Sequence, residues 1–196
     1  LITTTDGDLP VEWLASGDLV ITRNHGARPI RAIGRIWPNE TSDRWGKCAS
    51  PVIMEQASFA PSAPNHRLVL GPQHRVLVTG WEVDFLFGKT ETFAPADHFA
   101  ADDAPSDPGP NTPLYHLVLD THEVILANGL WVESAFCDGL AQPAHSHLAT
   151  PEIAHRATAR PCLLDYEVMV LQAFRKSQHQ PTSIDHAERR RNIRVA

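Results

Sequence analysis

Short stretches in which apolar and polar residues alternate, broken by Gly, Pro and Asn/Asp-rich punctuation, recur along roughly the first two-thirds of the chain. A period of two sends successive side chains to opposite faces of a sheet, and β-branched and aromatic residues suit that pleated surface. The pattern predicts strands near 1–4, 18–23, 28–37, 51–54, 66–70, 74–79, 82–87, 91–94, 114–119, 123–127 and 130–133. His66-Arg67-Leu68-Val69-Leu70 and His74-Arg75-Val76-Leu77-Val78 are near copies joined by Gly71-Pro72-Gln73. Two such runs around a Gly-Pro corner predict adjacent strands meeting at a bend, with His74 at its tip.

Two segments interrupt this rhythm. Residues 101–113 hold four prolines and no large apolar side chain, so they have little to bury and read as a surface loop. Residues 38–50 read as a second irregular insertion, with Trp37 and Trp45 expected to anchor it on the core. Beyond Gly139 the pattern changes. Tyr166, Val168, Met169, Val170, Leu171 and Phe174 have the spacing of a helix near 164–176 that packs on the β body, with Arg175 and Lys176 suited to its C-terminal end. The remaining residues, 177–196, are expected to fray or to form a short polar helix over 185–191. The expected organisation is a β domain over 1–139 and an extension over 140–196, carrying that one helix and a basic tail.

Composition narrows the possibilities. A chain of 196 residues that is 42% hydrophobic can bury one good core, and 16 prolines with 11 glycines suit many short strands better than long helices. The net charge of -6 is uneven: from Arg175 onward six bases face Asp185 and Glu188, about +4, leaving about -10 upstream. A mostly acidic body argues against nucleic acid as a partner, and the basic tail reads as a solvated terminus. No apolar run is long enough to span a bilayer, so no membrane partner is expected. Cys48, Cys137 and Cys162 have neither a C-x-x-C spacing nor an even count, which indicates neither a zinc ribbon nor a disulfide framework.

Three blocks carry more specific information. Leu114 to Ser134, LYHLVLDTHEVILANGLWVES, sets Tyr115-His116-Leu117 ahead of His122, then Asn128-Gly129 and Val132, and ends in Glu133-Ser134. Gly71-Pro72-Gln73-His74-Arg75-Val76-Leu77-Val78 places a His three residues after a small residue, and Leu1 to Val20 contains Asp6-Gly7, Val11-Glu12-Trp13-Leu14 and Gly17-Asp18-Leu19-Val20. In this order the blocks resemble those of the Hedgehog/intein, or Hint, family, and of its bacterial subgroup in particular. Arg160-Pro161-Cys162-Leu163-Leu164-Asp165-Tyr166-Glu167 is similar to the tail of that subgroup.

The resemblance implies an all-β horseshoe or disc of bent antiparallel strands with a C-terminal helical extension. It implies self-cleavage through an N-to-S or N-to-O acyl shift, in which a Cys or Ser attacks the carbonyl before it. The family motif puts that nucleophile about six residues before Leu1, so the chain starting at Leu1 is expected to be inactive alone. His74 falls on the T/S-x-x-H position and takes the acid–base role, with Gly71 where the hydroxyl residue stands. His122 and His116 fall on the later positions that relay a proton or orient the intermediate, and Asp120 lies between them. The closing His-Asn pair is replaced by Glu133-Ser134, which cannot cyclise to a succinimide, so cleavage without splicing is expected. The implied partners are the upstream segment of its own precursor and a water, thiol or other small nucleophile, with no cofactor and no metal. Two alternatives stay open: a catalytically degenerate scaffold acting as an interaction module, and a His-rich metal site drawn from 11 histidines that include His145, His147 and His155.

Overall fold

A computed structural model describes residues 1–37, 51–100, 112–137 and 153–179. Among them are twelve strands: β1 Ile2–Thr4, β2 Gly7–Leu9, β3 Leu19–Thr22, β4 Gly26–Pro29, β5 Ala32–Ile36, β6 Val52–Met54, β7 Leu68–Leu70, β8 Arg75–Thr79, β9 Glu91–Pro95, β10 Leu114–Val118, β11 Val124–Ala127 and β12 Leu130–Glu133. Two α-helices, α1 Trp81–Phe87 and α2 Asp165–His179, complete the regular structure, with short 3-10 turns at Val11–Trp13 and Ala96–Phe99. The protein has an all-β body with a C-terminal helix. No helix among the described residues is long and apolar enough to cross a membrane.

Eight strands form the main antiparallel sheet, running β2-β1-β3-β11-β12-β8-β9 with β4 on β3. β5 pairs with β10, and β6 with β7, as separate two-stranded sheets. Alternation along β8 and β12 sends Val76, Val78, Leu130 and Val132 into the large core, where Val20, Ile30, Leu119, Val168 and Leu171 are also buried. The intervening Leu77 and Trp131 face a smaller cluster with Phe93, Val124, Ala159 and Cys162. Both faces of the central strands are therefore covered. The second face is covered by the chain after residue 153: the Phe93 N–H donates to the Pro161 carbonyl and the Leu163 N–H to the Phe93 carbonyl, both at 2.8 Å.

Three expectations need correction. Residues 82–87 form α1 rather than a strand; of its side chains only Val83 is buried, and Gly88, at φ 62°, closes it with an N–H bond to the Asp84 carbonyl. Such a left-handed glycine just past the last turn is a helix stop, and it outweighs the aromatic content that suggested a strand. The run at 28–37 is two strands, broken where the Ile30 N–H turns to Asp18 and the Arg31 N–H to Val118, after which β5 leaves the main sheet for β10. β7 and β8 meet at the predicted corner but do not pair, since β7 joins β6 while β8 lies between β12 and β9. β2 was not anticipated; it hairpins onto β1 through the Thr5-Asp6 turn. Trp37 lies beneath the Arg35 guanidinium at 5.4 Å. The expectations for Trp45, for the loop at 101–111 and for the tail beyond 179 fall outside the described residues.

Candidate functional site

The β11–β12 hairpin turns at Asn128-Gly129, whose positive φ values of 46° and 74° suit Asn and Gly. Its open end carries His122, just before β11, and Glu133-Ser134, at the end of β12. β8 pairs with β12 at Val76↔Val132, which brings its leading residues His74 and Arg75 to that same end. The corner before β8 is closed by the His74 N–H on the Gly71 carbonyl, and the ladder continues past Arg75 because the Ala96 N–H donates to the His74 carbonyl. His116 enters from β10. Four separate segments thus converge on the end of one hairpin.

The histidines are held differently. His74 Nε2 is buried and has no hydrogen-bond partner among the described residues. Burial pushes His74 below the ordinary imidazole value, opposed by the Glu133 carboxylate and by a hydrogen bond to the Glu133 backbone, while His122 and Arg75 push further in the same direction as burial. His116 is lowered to about 4, mainly by burial and then by its neighbour His74. At neutral pH both rings are uncharged. His122, by contrast, has both nitrogens engaged: Nδ1 accepts the Ala159 N–H at 3.0 Å, and Nε2 lies 3.2 Å from the Glu133 carboxylate and 3.1 Å from the Ser134 carbonyl. An Nδ1 that accepts must be the unprotonated nitrogen, so Nε2 carries the hydrogen and aims it at Glu133 and Ser134. Phe93 and Phe136 pack against the ring at centroid distances of 5.7 and 5.2 Å.

Glu133 is the hub that sequence reasoning missed. Its carboxylate accepts the Arg75 N–H at 2.9 Å and faces the Arg75 guanidinium at 3.3 Å, besides His122. Burial would raise its pKa, but the hydrogen bond from His122, the charge of the Arg75 guanidinium and the Arg75 N–H outweigh that, so it stays below the ordinary carboxylate value. A signal was present: strand alternation places Glu133 with Trp131 on the face that the smaller apolar cluster covers, where an acid needs partners. Ser134 is also buried, and its Oγ accepts the Glu123 N–H at 2.9 Å. Glu123 in turn is buried against Thr121 and His25, the latter 2.9 Å away.

Other candidates lie outside the cluster. Asp120 is exposed and forms a two-point ion pair with Arg31, just before β5, both contacts at 2.7 Å, so it is engaged at the surface. Cys162 lies within electrostatic reach of Arg75 and Glu133, but burial pushes its thiol up, which disfavours the thiolate. His155 is buried with Nδ1 accepting the Cys137 N–H and Nε2 on the Leu119 carbonyl at 2.9 Å, leaving neither nitrogen open for a metal. No group of three or more His, Cys, Asp or Glu among the described residues could hold a metal ion, and His145 and His147 lie outside those residues.

No curated protein and no solved structure matches the chain. A family model described as the Hint domain matches residues 1–139, the span that contains all three sequence blocks and the whole β body. With that match over more than half its length, the chain belongs to the Hint domain family.

Proposed function

We propose that this Hint domain cleaves its own precursor through an N-to-S or N-to-O acyl shift, without splicing, and that His74 moves the proton. The observation that carries this reading is the buried, unpartnered Nε2 of His74 in a neutral ring at the open end of the β11–β12 hairpin. A buried polar atom without a partner is unfavourable for folding alone, and such atoms concentrate at reactive sites. The attacking residue is a Cys or Ser about six positions before Leu1, where the family motif places it. Leu1 is held at the opposite end of the hairpin, where its carbonyl accepts the Asn128 N–H at 2.9 Å.

The nucleophile gives up its S–H or O–H proton as its sulfur or oxygen bonds to the preceding carbonyl carbon. The C–N bond then breaks and the departing nitrogen takes a proton. His74 accepts the first proton and delivers the second, a cycle that an imidazole with one free nitrogen performs at neutral pH. Water or a small thiol next attacks the thioester or ester and releases the upstream chain. No succinimide step follows, because Glu133-Ser134 occupies the place of the cyclising Asn and both side chains are engaged in hydrogen bonds.

The test is a precursor that includes the native upstream residues. It should shorten without protease, faster with added thiol, and His74→Ala should slow it by about 10²–10⁴-fold. Mass spectrometry of the products reads both. A precursor that stays intact, or one that His74→Ala leaves at the original rate, replaces this reading with that of an inactive scaffold.

A further inference from the structure

The family match ends at residue 139, yet one wall of the site is built by residues beyond it. Val124, Leu77, Phe93 and Trp131 are covered by Ala159 and Cys162, and the strand-like bridge Phe93↔Cys162 runs parallel to β9. Arg160 anchors this arm. Its Nε lies 2.7 Å and its Nη2 2.6 Å from Glu91, its Nη1 donates to the Ala159 carbonyl at 2.7 Å, and it also reaches Asn24. Glu91 is shared with Arg23, whose guanidinium lies 5.2 Å from the Trp131 ring. Thr158 Oγ1 closes the arm locally on the Arg160 carbonyl. The backbone of Ala159 is thereby held where its N–H meets His122 Nδ1.

We infer that this C-terminal arm is a working part of the Hint site: the Ala159 amide, donating to His122 Nδ1, fixes the orientation of His122 and reinforces the tautomer that aims Nε2–H at Glu133. Without that N–H, Nδ1 loses its donor and the ring is held only through Nε2, by the Glu133 carboxylate and the Ser134 carbonyl. With it, Nε2 must carry the hydrogen, and the Glu133 carboxylate receives a donor aimed by a rigid, ion-paired segment. Ala159 is a positioning residue, and Arg160 positions Ala159. The tautomer assignment stands on hydrogen-bond geometry alone; its consequence for cleavage rests on the processing reading above.

Imidazole nitrogen-15 spectra of the full chain test the inference directly. In the wild type, His122 Nδ1 should appear as the unprotonated nitrogen and Nε2 as the protonated one. Ala159→Gly keeps the N–H and should leave that signature unchanged, whereas Ala159→Pro removes it and should shift the Nδ1 resonance toward that of an unprotonated nitrogen without a hydrogen bond. Should the proline variant fail to fold, Arg160→Ala releases the arm with the amide intact and should broaden or shift the same resonances, with Arg160→Lys restoring them in part. In a cleaving precursor Ala159→Pro and Arg160→Ala should lower the rate by about 10–100-fold, the size of effect seen when outer partners that orient a histidine are lost. A protonated Nδ1 in the wild type, or a signature unmoved in both Ala159→Pro and Arg160→Ala, overturns the inference. An inert precursor whose His122 resonances still respond to the arm overturns the processing reading and leaves this one standing.

Discussion

His74 and His122 both stand beside Glu133, yet the fold treats them oppositely. His122 is packed between two phenylalanines and has three polar partners drawn from β12 and the C-terminal arm. His74 has one bond to the Glu133 backbone and a buried nitrogen without a partner. A ring whose nitrogens are all engaged can orient its neighbours but must break a bond to move a proton. A ring with an open nitrogen can exchange a proton at little structural cost. Position in a family motif does not separate these two roles; the hydrogen-bond inventory does.

The largest effect that can break the comparison is a crossed pair of substitutions. His122→Ala strands the Ala159 N–H, leaves Glu133 with fewer partners and opens a void beside Phe93, which should cost about 3 kcal/mol in chemical denaturation. His74→Ala removes one hydrogen bond, to the Glu133 backbone, and an atom that had no partner, and should cost less, about 1–2 kcal/mol, while abolishing most of the cleavage. Finding the two rows reversed, with His74→Ala unfolding the domain and His122→Ala merely slowing it, would end the division of labour.

How far the sequence alone revealed this arrangement differs from element to element. The strands that build the site were visible because β8, β11 and β12 alternate cleanly between two buried faces, and the Asn128-Gly129 turn marks their hairpin. α1 was hidden because Trp81, Val83, Phe85 and Phe87 alternate with other residues as strand residues do, although Gly80 and Gly88 bracket a helix and Trp81 and Phe85 remain exposed. His74, His122 and His116 could be named from motifs, and they are brought to one place. Their electrostatic states could not be named, because those depend on burial and on Arg75 and Glu133. Glu133 was dismissed as unable to cyclise, an argument about one reaction that said nothing of what else a buried carboxylate does. The role of Ala159 had no sequence signal, since a backbone N–H is common to nearly every residue.

Acid sharpens the contrast on the His74 side. His74 and His116 are held below the ordinary imidazole value, so on acidification the unfolded chain binds protons at these sites before the folded chain does. Stability should therefore decline as pH falls below about 6.5, and for His116 the decline continues down to its folded value of about 4. A shift of that size corresponds to about 3 kcal/mol lost in full. Urea midpoints measured from pH 7 to 4.5 should slope less steeply for His116→Gln than for the wild type. Parallel slopes would mean that His116 is not the buried neutral group described above.

Ser134→Ala sharpens the other side. Losing the hydroxyl leaves the buried Glu123 N–H without its acceptor, a change of about 1–2 kcal/mol that should appear as a lower thermal midpoint. Cleavage in the precursor should be unaffected at temperatures where the variant is folded, because Ser134 has no place in an acyl shift upstream of Leu1. A large rate defect with unchanged stability would instead make Ser134 a participant.

Gly71→Thr is the smallest change. It asks whether the corner before His74 tolerates the hydroxyl that the family motif carries there. A Cβ on Gly71 would meet only Leu114 Cδ1, at 3.8 Å, an ordinary contact, and its φ lies outside the left-handed range in which side chains are strained. The Gly71 carbonyl already accepts the His74 N–H, and that bond does not depend on the side chain. Replacing glycine at such a position restricts the unfolded chain and should raise stability by about 0.4–1 kcal/mol. The added hydroxyl stands within the same turn as His74, where it can donate to a reacting carbonyl, so cleavage should be equal or faster. Slower cleavage with normal stability would show that the open volume at this corner, and not a missing hydrogen bond, is what the reacting peptide requires.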